Sequence, residues 1–528
     1  MTRSAMHWPT MSPETHFQRR VRCFTQRPRS LHALLDNAVA LNPQGTALVC
    51  NDTRLTYLAL NEQVGRLAAG WHALGLNAGD RVALLLSNRI EFVLCLLAAT
   101  RLGAITVPLS VREQTPGLHY MLSHCEAVML VHDAALADVV PAKDTLPALS
   151  WQISVGACAN TLEFSSLLSD KPYTDVARVN EEDTAVILYT SGTTGRPKGA
   201  MLSHLGIVHS CMHFQAGMKM GADSVAIAAV PLSHVTGLVA LVTTSLHVAG
   251  TLVILPSFKA ATFLQVAAKE KMTHSLMVPA MYSLCLLEPS FSAEALKHWR
   301  IGGYGGAPMP VAVIEQLAKH LPNLDLRNAY GATETTSPVT LIPAGMNDAH
   351  LDSVGRVLPC ADVRIMNDAG QEVPFGETGE LWINGPMVVP GYWDNPEATA
   401  QSFTAGYWHS GDLGCMDKDG FVKIFDRKKD MLNRGGFKIY SVEVENCLMG
   451  IPGVLEAAIV GKPCPVLGER VHAFIYAPNQ SISQDLVTAH CKQALADYKV
   501  PETVTWLDAP LPRNANGKVM KRQLRLNF

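Results

Sequence analysis

Tyr189-Thr190-Ser191-Gly192-Thr193-Thr194-Gly195-Arg196-Pro197-Lys198-Gly199 packs three glycines, three threonines, one serine and one lysine into eleven residues. The run is too polar and too flexible to be a core element. Glycine lets backbone N–H groups turn inward around an anion, the hydroxyls add donors, and the lysine adds a mobile positive charge. The apolar stretch from Thr184 to Tyr189 leads into the run and reads as a strand. A polyphosphate cradle at a strand end is the reading that fits. The loop is not of the G-x-x-x-x-G-K-[ST] type, because that pattern occurs nowhere in the chain.

Outward from the loop, strand and helix signals alternate. Upstream, residues 30–47 carry apolar side chains at helical spacing, and Asn61 to Leu74 reads as a helix closed by Gly75. Arg81 to Leu86 is a strand, Glu91 to Leu102 an apolar helix, and Ile105 to Pro108 a strand. Downstream, Leu202 to Met212 and Ala260 to Glu270 read as helices. Ala226 to Pro231, Ser275 to Val278 and Leu324 to Asn328 read as strands. The alternation predicts an α/β region of two subdomains built on largely parallel sheet. Short strands with Gly/Asp/Pro turns between Asp362 and Gly391 predict a small β-rich subdomain. A boundary at Phe425–Asp430 sets off a small α+β unit, giving expected domains of 1–428 and 429–528.

Composition narrows the function classes. The chain has 528 residues, 48% of them hydrophobic, and a formal net charge of -3 from 43 basic and 46 acidic residues. That balance argues against a nucleic-acid footprint or a polybasic membrane patch. Twelve cysteines are scattered without a C-x-x-C pair or a zinc-like cluster, which suits reduced thiols in the cytoplasm. No signal-peptide pattern opens the chain and no Ser-Lys-Leu closes it. Ser224 to Phe258 lacks Asp, Glu, Lys and Arg, but Pro231, Ser233, His234, Thr236 and Gly250 interrupt it. It reads as strand, polar turn, buried helix and strand, so stable membrane insertion is not expected.

Four more islands accompany the loop: Gly302-Gly303-Tyr304-Gly305-Gly306-Ala307-Pro308, Asn328-Ala329-Tyr330-Gly331-Ala332-Thr333-Glu334, Tyr407-Trp408-His409-Ser410-Gly411-Asp412-Leu413, and Pro512-Arg513-Asn514-Ala515-Asn516-Gly517-Lys518. In order and spacing they resemble the adenylate-forming superfamily of acyl-CoA synthetases, aryl-CoA ligases, carrier-linked adenylation domains and beetle luciferase. The resemblance runs from about residue 30 to residue 525. It implies a mobile C-terminal domain, and a reaction that joins a carboxylate to AMP, expels pyrophosphate, and then passes the acyl group to a thiol. ATP, Mg²⁺ and coenzyme A are the implied cofactors and cosubstrates, and a small carboxylic acid is the implied partner. A homodimer is left open.

The same resemblance assigns roles. Thr190, Ser191, Gly192, Thr193, Thr194, Gly195 and Lys198 match the loop that holds the β- and γ-phosphates. Glu334 matches the Mg²⁺ position; an isolated glutamate is ordinarily a solvated surface residue, but within Tyr-Gly-Ala-Thr-Glu the metal reading prevails. Thr333 is placed near the α-phosphate. Asp412 accepts the two ribose hydroxyls, as the two oxygens of a carboxylate can. Arg427 contacts the nucleotide, Tyr330 stacks on adenine, and Gly306, Ala307 and Pro308 form the opposing wall beside Ala329 and Gly331. Asn328 hydrogen-bonds the purine edge, with turn capping as the competing reading. Lys518 is the catalytic lysine, and Lys429 the hinge.

By the same resemblance, His234 matches a position that borders the carboxylate, where it is expected to act as a positioner or gate. A substrate already ionised at neutral pH needs no base. The acyl group is expected to run past His234, Val235, Thr236, Gly303, Tyr304, Gly305, Ala332, Thr336 and Pro338, with glycines 303, 305 and 306 leaving room for a ring or an alkyl chain. Tyr304 departs from the small residue usual in the family, and either narrows the channel or turns away. Leu232 to Leu241 contains no acidic residue for a substrate ammonium, which argues against amino acids and leaves fatty and aryl acids. Arg434, Gly435, Gly436 and Lys438 match a pantetheine tunnel. An acyl-AMP ligase serving a separate carrier protein, and a non-catalytic nucleotide- or acyl-binding module, are the alternatives.

Overall fold

The computed structural model describes residues 8–190, 196–478, 482–513 and 519–526. Ser191, Gly192, Thr193, Thr194, Gly195 and Lys518 therefore lie outside the described residues. The chain divides into two compact units, Met1–Val363 with Ile383–Trp408, and Arg364–Trp382 with His409–Phe528.

Two sheets organise the first unit. One is seven-stranded and runs in the order Lys198–Ser203, Thr184–Thr190, Ile105–Pro108, Arg81–Leu85, Met129–Asp133, Trp151–Val155, Leu162–Glu163. Its pairings are parallel except the first, where Thr190 lies opposite Lys198. The other sheet has a parallel centre of Asp325–Tyr330, Ile301–Tyr304, His274–Met277, Val225–Ala228, Thr251–Ile254 and Thr46–Cys50. Antiparallel strands close both of its ends within the unit, Thr340–Leu341 with Gly355–Val357 on one side and Thr53–Thr56 on the other. These are the two expected α/β subdomains. Helix Ile90–Arg101 is apolar nearly all round, and every residue but Glu91 is buried, as a helix inside a shared core must be.

Two sequence expectations shift. The opening helix spans Leu31–Leu41, not 30–47: Pro43 follows at once, and Thr46–Cys50 is β-rich and pairs into the second sheet. The helix expected from Leu202 starts at His204, because Lys198–Ser203 first pairs back on Thr184–Thr190 and Ser203 then caps the helix by accepting from Gly206 N at 3.1 Å. Gly302 and Gly303 lie inside the strand Ile301–Tyr304.

The uncharged run Ser224–Phe258 folds as strand Val225–Ala228, a turn, a π-helix over Thr236–Thr243 continuing as α-helix Thr244–His247, and strand Thr251–Ile254. Among the described residues no helix is long and apolar enough to cross a membrane.

The second unit contains residues 409–416 of the strand Tyr407–Met416, paired antiparallel with Phe421–Arg427, and a five-stranded sheet ordered Phe437–Ile439, Leu432–Arg434, Gly468–Tyr476, Glu456–Cys464, with Thr503–Leu507 beside Gly468–Tyr476. Helices Ser441–Met449 and Gln484–Ala494 cover a separate core around Ile439, Val444, Ile459 and Val487.

Candidate active site

In the first unit the hairpin register fixes the site. Thr190 ends one strand and Lys198 opens the next, directly opposite. Segment 391–393 then adds to the outer side of the hairpin: Trp393 N donates to Gly199 O at 2.7 Å, Met201 N donates to Gly391 O at 3.2 Å, and Ala200 bridges to Tyr392. This brings Tyr392 over the strand that carries Lys198. The Lys198 ammonium lies 4.9 Å from the centre of the Tyr392 ring, a cation–π distance.

Glu334 sits in the single 3-10 turn Thr333–Thr335 and is 9% exposed. Its backbone carbonyl accepts from Val389 N at 2.9 Å. Its Oε1 accepts from Tyr392 Oη at 3.1 Å and lies 3.3 Å from Thr190 Oγ1. Oε2 has no partner among the described residues. An oriented carboxylate with one oxygen held and one open is a fitting donor for a hard cation such as Mg²⁺. Burial, and then the negative charge of Glu334, push the Tyr392 phenol far above its ordinary value, so Tyr392 remains a donor.

His234 is set by the turn after Val225–Ala228. Asn88 pins that turn from the other sheet's side, donating to Val230 O at 2.9 Å and Leu255 O at 3.0 Å, and accepting from Leu232 N at 2.9 Å. Gly237 is required here, since a Cβ would lie 2.1 Å from the Pro231 carbonyl oxygen. Thr236 N–H donates to His234 Nδ1 at 3.3 Å. Nδ1 is therefore an acceptor, and the neutral ring carries its proton on Nε2.

The acyl-channel expectation needs correction. Gly303 and Gly305 do not leave room: a Cβ on Gly303 would meet Leu276 Cδ1 at 2.6 Å and Met218 Cε at 2.8 Å, and one on Gly305 would meet Ala329 O at 2.4 Å. Their missing side chains are filled by neighbours. Gly306, at φ +78, faces open space except for Val278 Cγ1 at 3.8 Å. Tyr304 is buried, and its hydroxyl donates to Asn347 Oδ1 at 2.9 Å. Thr336 is fully buried in the left-handed region (φ 50) and donates to Met387 O at 2.7 Å, so its hydroxyl serves the fold. Asn328 Nδ2 donates to Ser353 O at 3.1 Å, a structural bond that favours the competing reading. Val235 and Pro338 are buried; Thr236, Ala329, Tyr330, Ala332 and Thr333 are partly exposed; Gly331, Ala307 and Pro308 are exposed.

In the second unit Asp412 and Arg427 face each other across their strands, with Arg427 Nε 2.7 Å from Asp412 Oδ1. Lys429 is exposed, and its carbonyl accepts from Arg525 Nη2 at 3.3 Å. Arg434 pairs with Glu502 at 2.9 Å. Gly435 and Gly436 adopt φ 58 and 91, and Lys438 is exposed.

One further cluster resembles a metal site and is not one. Glu14, His16 and Cys23 bring their ligand atoms within 4.8 Å of one another. However, Arg27 donates to both Glu14 oxygens, at 2.9 and 2.8 Å, and this pairing holds the Glu14 carboxyl down at about 2. A guanidinium already fills the place of a cation.

Sequence reasoning missed Tyr392 and Asn88. The signal for Tyr392 is faint, an aromatic pair after a glycine in Pro390-Gly391-Tyr392-Trp393. Asn88 had a clearer one, a polar residue directly after a buried strand.

The AMP-binding enzyme family model matches residues 35–393, and the model of the AMP-binding enzyme C-terminal domain matches residues 443–518. A feruloyl-CoA synthase of an Amycolatopsis species is 35% identical, covering 92% of this chain and 97% of its own. A long-chain-fatty-acid–CoA ligase, FadD13 of Mycobacterium tuberculosis, is 31% identical over 94% and 98%. The solved o-succinylbenzoate coenzyme A synthetase of Bacillus subtilis, in complex with ATP and magnesium ion, superposes with TM-score 0.83 at 28% identity, covering 95% of this chain and 99% of that one. With two-thirds of its length matched by the first model and the buried Glu334 cluster built from that same region, the chain belongs to the AMP-binding enzyme family and carries that family's C-terminal domain behind the main one.

Proposed function

We propose that the chain is an AMP-forming acid–thiol ligase that activates a fatty or aryl carboxylate as acyl-AMP and transfers the acyl group to coenzyme A. The observation that carries this reading is Glu334, nine-tenths buried, held at Oε1 by Tyr392 and Thr190 beside Lys198, with Oε2 open. Relatives acting on feruloyl and long-chain acyl groups support the substrate class.

In the first half-reaction a carboxylate oxygen attacks the α-phosphorus of ATP, and the bond to pyrophosphate breaks. Two anions meet, so the chain's contribution is positive charge and orientation. Lys198 and the glycine-rich loop hold the leaving phosphates. Glu334 holds Mg²⁺, which when bound draws charge from the phosphate oxygens. His234, whose Nδ1 accepts from Thr236 N–H, offers the N–H on Nε2 to the substrate carboxylate. Lys518 supplies an ammonium to the charge that develops at the α-phosphate. Asp412 and Arg427 serve the ribose, and Tyr330 the adenine.

In the second half-reaction the thiol of coenzyme A attacks the acyl carbonyl carbon, AMP leaves, and the thiol proton is lost to solvent. Lys429 is the residue about which the small domain turns between the steps, so the functional boundary is 428/429. Arg434, Gly435, Gly436 and Lys438 line the approach of the pantetheine arm. The cysteines are free thiols, mostly buried, which supports a reducing cytoplasm.

The test is pyrophosphate exchange into ATP with Mg²⁺ across a panel of aliphatic and aromatic acids, with products identified by mass. Acyl-CoA and AMP are expected for at least one acid. ADP as product, or no AMP with any acid from protein that binds ATP, overturns the reading. Discharge of acyl-AMP by a phosphopantetheinylated carrier with no response to coenzyme A replaces the acceptor.

A further inference from the structure

Lys198 and Glu334 are an ammonium and a carboxylate in one small site, yet no ion pair joins them. Such a pair, once formed, would cancel both charges and leave neither for a ligand. Between them stands Tyr392. Its ring face carries the Lys198 ammonium, 4.9 Å from the centroid, and its hydroxyl donates to Glu334 Oε1 at 3.1 Å. Tyr392 is itself held by its surroundings. It is 6% exposed, and its backbone N–H donates to Thr399 Oγ1 at 3.0 Å. Trp393 N, next in the chain, donates to Gly199 O, and the Tyr392 ring meets Phe403 edge-on at 6.1 Å.

We propose that Tyr392 is a positioning residue that holds the phosphate-binding lysine and the metal-binding glutamate apart, its ring serving Lys198 and its hydroxyl serving Glu334. The inference rests on the functional reading given above. The two halves of the side chain act on different ligands. The ring keeps Lys198 available to the phosphates whether or not metal is present. The hydroxyl turns Glu334 so that Oε2 remains open, which matters only when Mg²⁺ binds.

The experiment is calorimetric titration of ATP into the full-length protein, with Mg²⁺ and with EDTA, for wild type, Tyr392→Phe and Tyr392→Leu. Tyr392→Phe keeps the ring and is expected to bind ATP in EDTA as wild type does, while the gain in affinity conferred by Mg²⁺ shrinks by about tenfold or more, the worth of a bond to a charged group. Tyr392→Leu removes the ring as well and is expected to weaken binding in EDTA by about threefold to tenfold, the worth of a partly desolvated cation–π contact. A Tyr392→Phe protein with the full Mg²⁺ gain overturns the proposal. So does a Tyr392→Phe protein that loses affinity in EDTA as deeply as Tyr392→Leu, since that is the signature of simple packing damage. Wild-type protein that binds no ATP in either buffer overturns the functional reading and this inference together. The Phe variant is isosteric apart from one oxygen, so it carries the test if the Leu variant fails to fold.

Discussion

Arg427 Nε lies 2.7 Å from Asp412 Oδ1, so the two residues proposed to serve the nucleotide are each other's partners. The carboxylate is 7% exposed and the guanidinium 46%, so the acid is fixed and the base is the member free to adjust. Asp412→Asn keeps the shape and removes the charge that accepts the ribose hydroxyls. It is expected to lower ATP and AMP affinity by about tenfold or more, as for a hydrogen bond to a charged group. Arg427→Gln is expected to cost less. Calorimetric titration of both nucleotides checks this, and wild-type affinity in Asp412→Asn removes Asp412 from the ribose site.

Lys518→Ala is expected to slow adenylation by about 10²–10³-fold, the loss of about 3–4 kcal/mol seen when one well-placed donor is removed from an anion-stabilising site. Transfer from chemically made acyl-AMP to coenzyme A is expected to be nearly unaffected. The two half-reactions are timed separately by single turnover. Equal damage to both defeats the assignment.

Lys429→Pro is expected to spare adenylation and suppress thioester formation, because proline fixes a torsion at the proposed turning point. Immediately beside it, Arg525 donates to the Lys429 carbonyl and pairs with Asp430 at 3.0 Å. Normal thioester formation from acyl-AMP by the proline variant moves the hinge elsewhere.

His213 is fully buried against Trp8 and Phe24, and neither ring nitrogen has a hydrogen-bond partner among the described residues. Burial, with a smaller push from His209, brings its pKa down to about 3. Below about pH 6.5 the unfolded chain takes up a proton there that the folded chain refuses, so the stability it lends falls as pH drops, by about 1.4 kcal/mol per unit. His213→Phe removes this proton sink. Between pH 6.5 and 5.0 the variant is expected to lose about 2 kcal/mol less than wild type. Thermal unfolding at the two pH values reads the difference; parallel losses in both proteins refute it.

The sequence made the covalent neighbourhood of the site legible and its cross-chain neighbourhood illegible. The strand Thr184–Thr190, the position of Lys198 and the cluster around Glu334 follow from local patterns, because glycines, hydroxyls and alternating apolar residues act over a few positions. Tyr392 did not follow, since its partners Lys198 and Glu334 are distant in the chain and only the docking of segment 391–393 on Lys198–Ser203 joins them. Gly303 teaches the same lesson from the other side. A glycine announces a missing side chain, but whether the space is empty or filled depends on Leu276 and Met218, which no local pattern reveals. The strand start at Lys198 was hidden because Ala200, Met201 and Leu202 suit a helix as well as a strand, and pairing decided between them.

The π-helix at Thr236–Thr243 makes the wall behind His234 adjustable by length. A π turn holds one residue more than the α turn into which it can collapse. Deleting one residue from this stretch would let the backbone re-enter the α ladder while His234 and the residues after the helix keep their facing, because a π turn and an α turn each close one revolution. A substitution changes one side chain on this wall, whereas a single-codon deletion would remove one position from it and draw the flanking turns closer together. Among homologues of this chain, changes of acid preference should therefore track the residue count between His234 and Thr251 as well as the identity of the residues in between.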